Sequence, residues 1–268
     1  MNTRCAILVM RVNKQHILVK GLVLREVDFG DNDRYITVLT EEGALIEVFC
    51  RGVRAKNARY NGAVRLFCYS EFTLYASREK YKLHEAAEIS SFWGLTQDIE
   101  GYALGCYFAE LILLFCTEPC PPITTLALYA FHALCRQKQP FPLIKAAFEL
   151  RLLCECGFMP QLQECGVCGR ELPGAALFSV TQGGICCPDC AKKSGGNWLV
   201  LPAGTLAAMR HMLDCTPAKL FSFTLGKESA QALARAAEQN MLYYTQKEPD
   251  SLKLYQSLQI TQNTGAKT

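Results

Sequence analysis

Cys165-Gly166-Val167-Cys168 and Cys187-Pro188-Asp189-Cys190 are two C-x2-C pairs with eighteen residues between them. That spacing falls in the range used by zinc sites. A tight two-residue turn lets both thiolates of a pair point at one metal, and zinc takes four such soft ligands in a tetrahedron. Between the pairs, Leu177-Phe178-Ser179-Val180 and Ile185-Cys186 flank Thr181-Gln182-Gly183-Gly184, the pattern of a hairpin with a glycine turn. The reading is a four-cysteine zinc ribbon over 161–199. The stretch 161–198 is rich in glycine and holds two prolines and five cysteines. It has too little apolar mass for a core of its own and needs a staple. Cys186 is the alternative to Cys187 as a ligand, although the Cys187–Cys190 loop matches the first knuckle better.

Other uses of these cysteines fit less well. Disulfides belong to oxidising compartments and to chains too small to build a core, and this chain has 268 residues, half of them apolar. A redox C-x-x-C sits beside a βαβ pattern, and none is present. A catalytic zinc keeps an open fourth position, which four cysteines close. The remaining cysteines, such as Cys50, Cys68, Cys106, Cys116 and Cys135, lie mostly inside apolar runs and read as small core hydrophobes.

Upstream, the first third of the chain reads as β. Ile17 to Val27, Arg34 to Thr40 and Leu45 to Cys50 are apolar runs closed by Asp28-Phe29-Gly30-Asp31-Asn32-Asp33, Glu41-Glu42-Gly43 and Gly52. Leu66 to Ala76 and Tyr81 to Ile89 follow, separated by a short polar turn. Five strands suit a small closed barrel, which removes exposed edges. An SH3-like barrel or a small sandwich fits the strand count too. Helices are expected over Asp98 to Cys116, Thr124 to Arg136, Leu143 to Cys156, Pro202 to Cys215 and Lys227 to Gln246.

The chain offers little to an enzyme or a membrane. It has four histidines, and His84-Glu85-Ala86-Ala87-Glu88 lacks the second histidine of a zincin helix. No H-x-E occurs, which removes the zinc deaminases, and no P-loop or nucleophile elbow is present. Enzymatic activity is not expected. Ala103 to Cys116 is too short to cross a bilayer and contains Glu110, and Cys5 to Met10 is too short for a signal peptide. A cytoplasmic protein without membrane attachment is therefore expected.

Formal charge is only +3, so any nucleic-acid surface must be local. The stretch 51–65 supplies one: Arg51, Arg54, Lys56, Arg59 and Arg65 without a single acid. Cations of this kind give sequence-independent affinity for phosphate, and Tyr60 and Tyr81 are candidates for stacking on bases. A solvated loop joining two strands is the competing reading.

In this order, the chain resembles the RecO family of bacterial recombination mediators, in its zinc-containing branch. Lys20-Gly21-Leu22-Val23-Leu24-Arg25 and Leu39-Thr40-Glu41-Glu42-Gly43 are similar to that family's opening strands, and Arg51-Gly52-Val53-Arg54 to its basic loop. Phe148-Glu149-Leu150-Arg151-Leu152-Leu153, Gly157-Phe158-Met159-Pro160 and Cys165-Gly166-Val167-Cys168-Gly169 are the most specific part of the likeness, continued by Phe178-Ser179, Gly183-Gly184 and Cys187 to Cys190. Leu242-Tyr243-Tyr244 and Ser251-Leu252-Lys253 are similar to its closing helix.

The resemblance implies a multidomain α+β protein. Its parts are an N-terminal extension at 1–14, an OB-fold barrel at 15–92, a helical domain from 93–160 and 200–260, the inserted zinc ribbon, and a disordered tail at 261–268. Residues before about Met10 have no family counterpart, so Met10 is an alternative start. Implied too are one structural zinc ion and binding of single- and double-stranded DNA with strand annealing. The implied protein partners are RecR, the tail of the single-strand-binding protein and, indirectly, RecA, at the nucleoid. A zinc-ribbon adaptor working only through protein contacts is the alternative function.

Overall fold

The computed structural model describes residues 16–77 and 80–265. The expected extension at 1–14, with the alternative start at Met10, lies outside the described residues.

Strands β1 (His16–Phe29), β2 (Asp33–Thr40), β3 (Leu45–Cys50), β4 (Cys68–Ser77) and β5 (Lys80–Ser91) close into a barrel with neighbours in the order β1-β2-β3-β5-β4. Alternation decides which side chains go inside. Ile36 and Val38 of β2 and Ile46, Val48 and Cys50 of β3 are buried, while the residues between them face out or pack elsewhere. With Val19, Val23, Phe72 and Leu74 they make one apolar interior.

β1 is long enough to serve two partners. Its first half pairs with β4 and its second half with β2, and a register shift between Val23 and Arg25 bends it from one to the other. β3 and β5 then meet in parallel, Val48 opposite Tyr81, and the cylinder is shut. Among the small β architectures open to the sequence, this order is the five-stranded OB barrel.

The described chain forms two compact units, one of residues 16–135 and 250–265, the other Arg136–Pro249. The barrel's unit also holds a short 3-10 helix (Trp93–Gln97), α1 (Ile99–Phe115), α2 (Pro121–Arg136) and a late helix, numbered α7 below. Asp98 caps α1 by accepting the amides of Glu100 and Gly101 at 3.0 and 3.1 Å. α2 is fastened to the β2–β3 turn: Thr124 Oγ1 donates to the Thr40 carbonyl at 2.7 Å.

The second unit holds α3 (Phe141–Glu155), β6 (Ala176–Ser179), β7 (Gly184–Cys186), α4 (Pro188–Ser194), β8 (Leu199–Leu201), α5 (Ala203–Asp214) and α6 (Lys227–Thr245). α3 is its centre and is buried without interruption from Leu143 to Leu150. The cost of burying Lys145 there is met by ion pairs to Glu149 at 2.8 Å and Glu238 of α6 at 2.7 Å. Arg151, farther along α3, donates to the carbonyls of Met212, Leu213 and Cys215 and so caps the C-terminal end of α5.

Two expectations are corrected. The helices do not gather into one domain of 93–160 and 200–260. α7 (Asp250–Gly265) packs on α1, where Glu110 accepts from the amide and hydroxyl of Ser251. α3, α5 and α6 instead form their own group with the ribbon. The expected tail at 261–268 is helical as far as Gly265, since no proline or glycine interrupts it before that point, and 266–268 lie outside the described residues.

Candidate metal centre and nucleic-acid interface

The Sγ atoms of Cys165, Cys168, Cys187 and Cys190 all lie within 4.8 Å of one another. Four thiolates around a metal at about 2.3 Å sit roughly 3.8 Å apart, so the group needs little adjustment to close on an ion. These are the four residues that the spacing selects.

Local backbone explains the placement. In the first knuckle, Cys165 N donates to Arg170 O and Gly169 N to Cys165 O, at 2.8 and 2.9 Å. That fold-back needs a left-handed residue, and Gly169 supplies it at φ +68°. In the second, Cys187 is the N-cap of α4, Pro188 occupies its first turn, and Cys190 follows one turn in. β7 joins the two knuckles: Gly166 N donates to Ile185 O at 3.0 Å, and Cys187 follows directly on the end of the strand.

Electrostatics favour ionised sulfur at the buried end. Burial alone would raise the Cys165 thiol, but N–H groups of Cys187, Cys168 and Val167 aimed at its sulfur hold it down to about 5. Cys186 behaves oppositely: burial, then its contact with Cys165, push it up to about 11. It is 1% exposed, and Cys187 stands in the four-sulfur group in its place. From α5, Arg210 donates to the carbonyls of Leu162 and Leu172, both at 2.8 Å, and of Gln163 at 3.3 Å. The base of the ribbon is thereby tied to a helix.

The basic stretch is the connection from β3 to β4. Val53, Ala63, Val64 and Phe67 bury themselves and leave Arg51, Arg54, Lys56, Arg59 and Arg65 exposed. The loop is laced to the β1–β2 hairpin: Gly52 N donates to Asp33 Oδ1 at 2.7 Å, and Leu66 N to Glu26 Oε2 at 3.2 Å. At its far end Phe67 takes φ +63°, a costly conformation for an aromatic residue. Packing holds it there, with the Phe131 ring 4.9 Å and the Tyr102 ring 5.8 Å away.

The seven residues expected to meet nucleic acid are not equivalent. Arg54 pairs with Asp28 at 3.3 Å and donates to the Gly30 carbonyl, so part of its charge is already used. Arg59 lies over the Tyr60 ring at 5.3 Å. Arg65 lies over Trp93 at 5.2 Å, beside a cleft of about 610 Å³ that Arg34, Asn61 and Tyr102 also line. Among the described residues Arg51, Lys56 and Arg59 make no ion pair. Tyr81 differs most from expectation. It is half-buried against the barrel interior, so packing takes much of the ring.

One group escaped the sequence reading. Phe29, Tyr35 and Phe49 meet on the outer face of β1–β3, with ring centroids 5.0 to 6.3 Å apart. The signal lay in alternation: Tyr35 and Phe49 flank the inward-facing Ile36 and Val48 and must face out.

A closed OB barrel bearing a cationic loop, followed by helices and a four-cysteine ribbon, defines a modular, multidomain α+β protein. The family description "Recombination protein O N terminal" matches residues 14–92, and "Recombination protein O C terminal" matches 96–253. The chain belongs to the RecO family. Relatives named "DNA repair protein RecO" include that of Symbiobacterium thermophilum, 30% identical over 90% of this chain and 96% of that protein. That of Anaeromyxobacter sp. (strain K) is 32% identical over 84% of this chain and 91% of its own length.

Proposed function

We propose that this chain is a recombination mediator of DNA repair. It binds single- and double-stranded DNA through the 51–65 loop and anneals complementary strands. With RecR it helps load RecA onto strands coated by single-strand-binding protein, whose C-terminal tail it contacts. It acts without catalysis, in the cytoplasm at the nucleoid. The observation that carries this reading is the set of exposed cations on an OB barrel, in a family whose curated relatives are named DNA repair proteins.

The four cysteines hold one zinc ion that stabilises the ribbon. Four sulfur donors suit a soft or borderline cation and leave no position for substrate. When bound, the ion supplies cross-linking between two knuckles and nothing to a reaction.

Phosphate contacts carry little sequence information, so binding is nearly indifferent to base order. Each lost contact reduces the salt slope by about 0.7 for a single strand. The pair to replace is Lys56 and Arg59, because Arg54 is already engaged by Asp28. In titrations of one labelled oligonucleotide at several salt concentrations, the double alanine variant binds more weakly and with a flatter salt dependence. Coincident curves for variant and wild type would place the DNA surface elsewhere. The adaptor reading draws on the exposed Val167 and Val200 of the ribbon, and it expects no oligonucleotide binding at any salt.

A further inference from the structure

We propose that the cleft between the end of the basic loop and the segment from Trp93 to Tyr102 is a binding site for one nucleoside 5′-phosphate, free or at the end of a strand. The site goes beyond the loop reading above, in which a run of phosphates is held and no single base is recognised.

The cleft has the size and build of a small-molecule site. Its volume is about 610 Å³, within the range of roughly 300–1,000 Å³ usual for such pockets. Asn61, Arg65 and Leu66 line it from the loop, Trp93 and Tyr102 from the segment that follows the barrel. The loop is fixed where it meets the cleft. Leu66 N donates to Glu26 Oε2 at 3.2 Å, and Phe67, the next residue, is held at φ +63° with the Tyr102 ring 5.8 Å away. A non-glycine residue kept in that conformation by its packing is a local cost of the kind that accompanies a preformed site.

Charge selects the ligand. Arg34, Arg54 and Arg65 all line the cleft. Arg34 pairs with Glu26 and Asp28, and Arg54 with Asp28, at 2.8 to 3.3 Å. Three cations against two carboxylates leave one positive charge, that of Arg65, which has no ion pair among the described residues. One uncompensated guanidinium suits one phosphate, to which it presents a planar fork of donors. A smaller cavity of about 240 Å³ shares Arg65, Leu66 and Trp93 but is lined by Glu88 as well, which disfavours an anion there.

The rings supply the other half of the ligand. Arg65 lies over the Trp93 indole at 5.2 Å, yet Trp93 is still 51% exposed. A base can stack on the remaining indole surface or on the guanidinium plane, and the Asn61 amide offers a donor and an acceptor to a base edge. A plain anion would use only the arginine. Cation, exposed indole and amide around one cavity suit a planar base that carries a phosphate.

The chain has two tryptophans, Trp93 and Trp198, so the full-length Trp198→Phe protein reports on the cleft alone. Titration with dTMP is expected to quench its fluorescence saturably, while thymidine and inorganic phosphate each bind more weakly. Arg65→Gln is expected to weaken dTMP binding by about 10- to 100-fold, the worth of one charge-assisted contact. Arg65→Lys keeps the charge without the fork and recovers part of the loss. Arg65 is exposed, so neither change threatens the fold. Quenching that never saturates, dTMP binding no tighter than thymidine or phosphate, or an Arg65→Gln protein that binds dTMP as before overturns the proposal. Oligothymidylate with and without a 5′-phosphate identifies the source: tighter binding of the phosphorylated strand assigns the site to strand ends, and equal binding beside saturable dTMP assigns it to the free nucleotide. Oligothymidylate binding without dTMP binding refutes the cleft and leaves the loop reading standing. The reverse result refutes the loop reading and leaves the cleft.

Discussion

The barrel and the ribbon solve the same problem, holding strands together, with different physics. The barrel closes its hydrogen-bond ladder on itself and fills the inside with Val23, Ile36, Val38, Val48, Phe72 and Leu74, all 1% exposed or less. Apolar burial at about 25 cal/mol per Å² is sufficient there, and nothing outside the chain is needed. The ribbon has strands of three and four residues, too short to bury a sheet face by themselves. Its small apolar core is supplemented by the group of four sulfurs and by Arg210, which ties Leu162, Gln163 and Leu172 to α5. A region whose core is as small as Phe178, Ile185 and Leu201 therefore leans on a few strong contacts where the barrel uses many weak ones. Losing one of the few is correspondingly severe.

The largest expected effect follows from removing the ion proposed for the four cysteines. Zinc binding to small ribbons and fingers carries about 10–16 kcal/mol, which is also folding free energy. Chelation, or Cys168→Ser, is expected to lower the melting temperature and solubility and to strip hydrogen-exchange protection from 161–199, while the barrel strands keep theirs. Equal loss in both regions would erase the contrast drawn above.

Phe72→Ala tests the other side. Phe72 is fully buried in the barrel, and its truncation is expected to cost about 3–5 kcal/mol. Denaturant unfolding measured with and without chelator gives the same difference, because this core does not depend on the metal.

Arg210 should matter next. Its guanidinium satisfies three carbonyls of the ribbon's base, and Arg210→Ala is expected to cost about 3 kcal/mol. Arg210→Lys recovers little of it, since one ammonium lacks the planar fork. Exchange at 161–172 is the measurement, and unchanged protection there would remove Arg210 from the comparison. The smallest effect is expected at Gly169, where Ala must enter the left-handed region at a cost of about 1 kcal/mol. A zinc-affinity titration detects it as a loss of roughly fivefold. A variant of unchanged affinity would show that the knuckle relaxes freely.

Legibility varied with how local the determining contact is. β2 and β3 were legible almost to the residue, because Glu41-Glu42-Gly43 and Gly52 punctuate them. α2 begins at Pro121, three residues before its expected start. The prolines that mark a break are also favoured in a helix's first turn. α4 was hidden for a similar reason, since Cys187-Pro188-Asp189-Cys190 reads as a knuckle and is also a helix start. β8 pairs with β6 more than twenty residues upstream, and no local pattern announces such a pairing.

The sequence by itself determined the four-cysteine group, the barrel's strands and the place of the cationic loop. Each depends on residues near one another in the chain, or on a period-two alternation that any strand must obey. Only the tertiary structure decided that α7 joins α1 while α3, α5 and α6 gather with the ribbon. It also decided that Asp28 takes up Arg54, that Tyr81 turns inward, and that Phe29, Tyr35 and Phe49 meet. Those outcomes depend on strand register and helix packing between distant segments. A shift of one residue in β1 or β3 would have turned the same side chains to the opposite face.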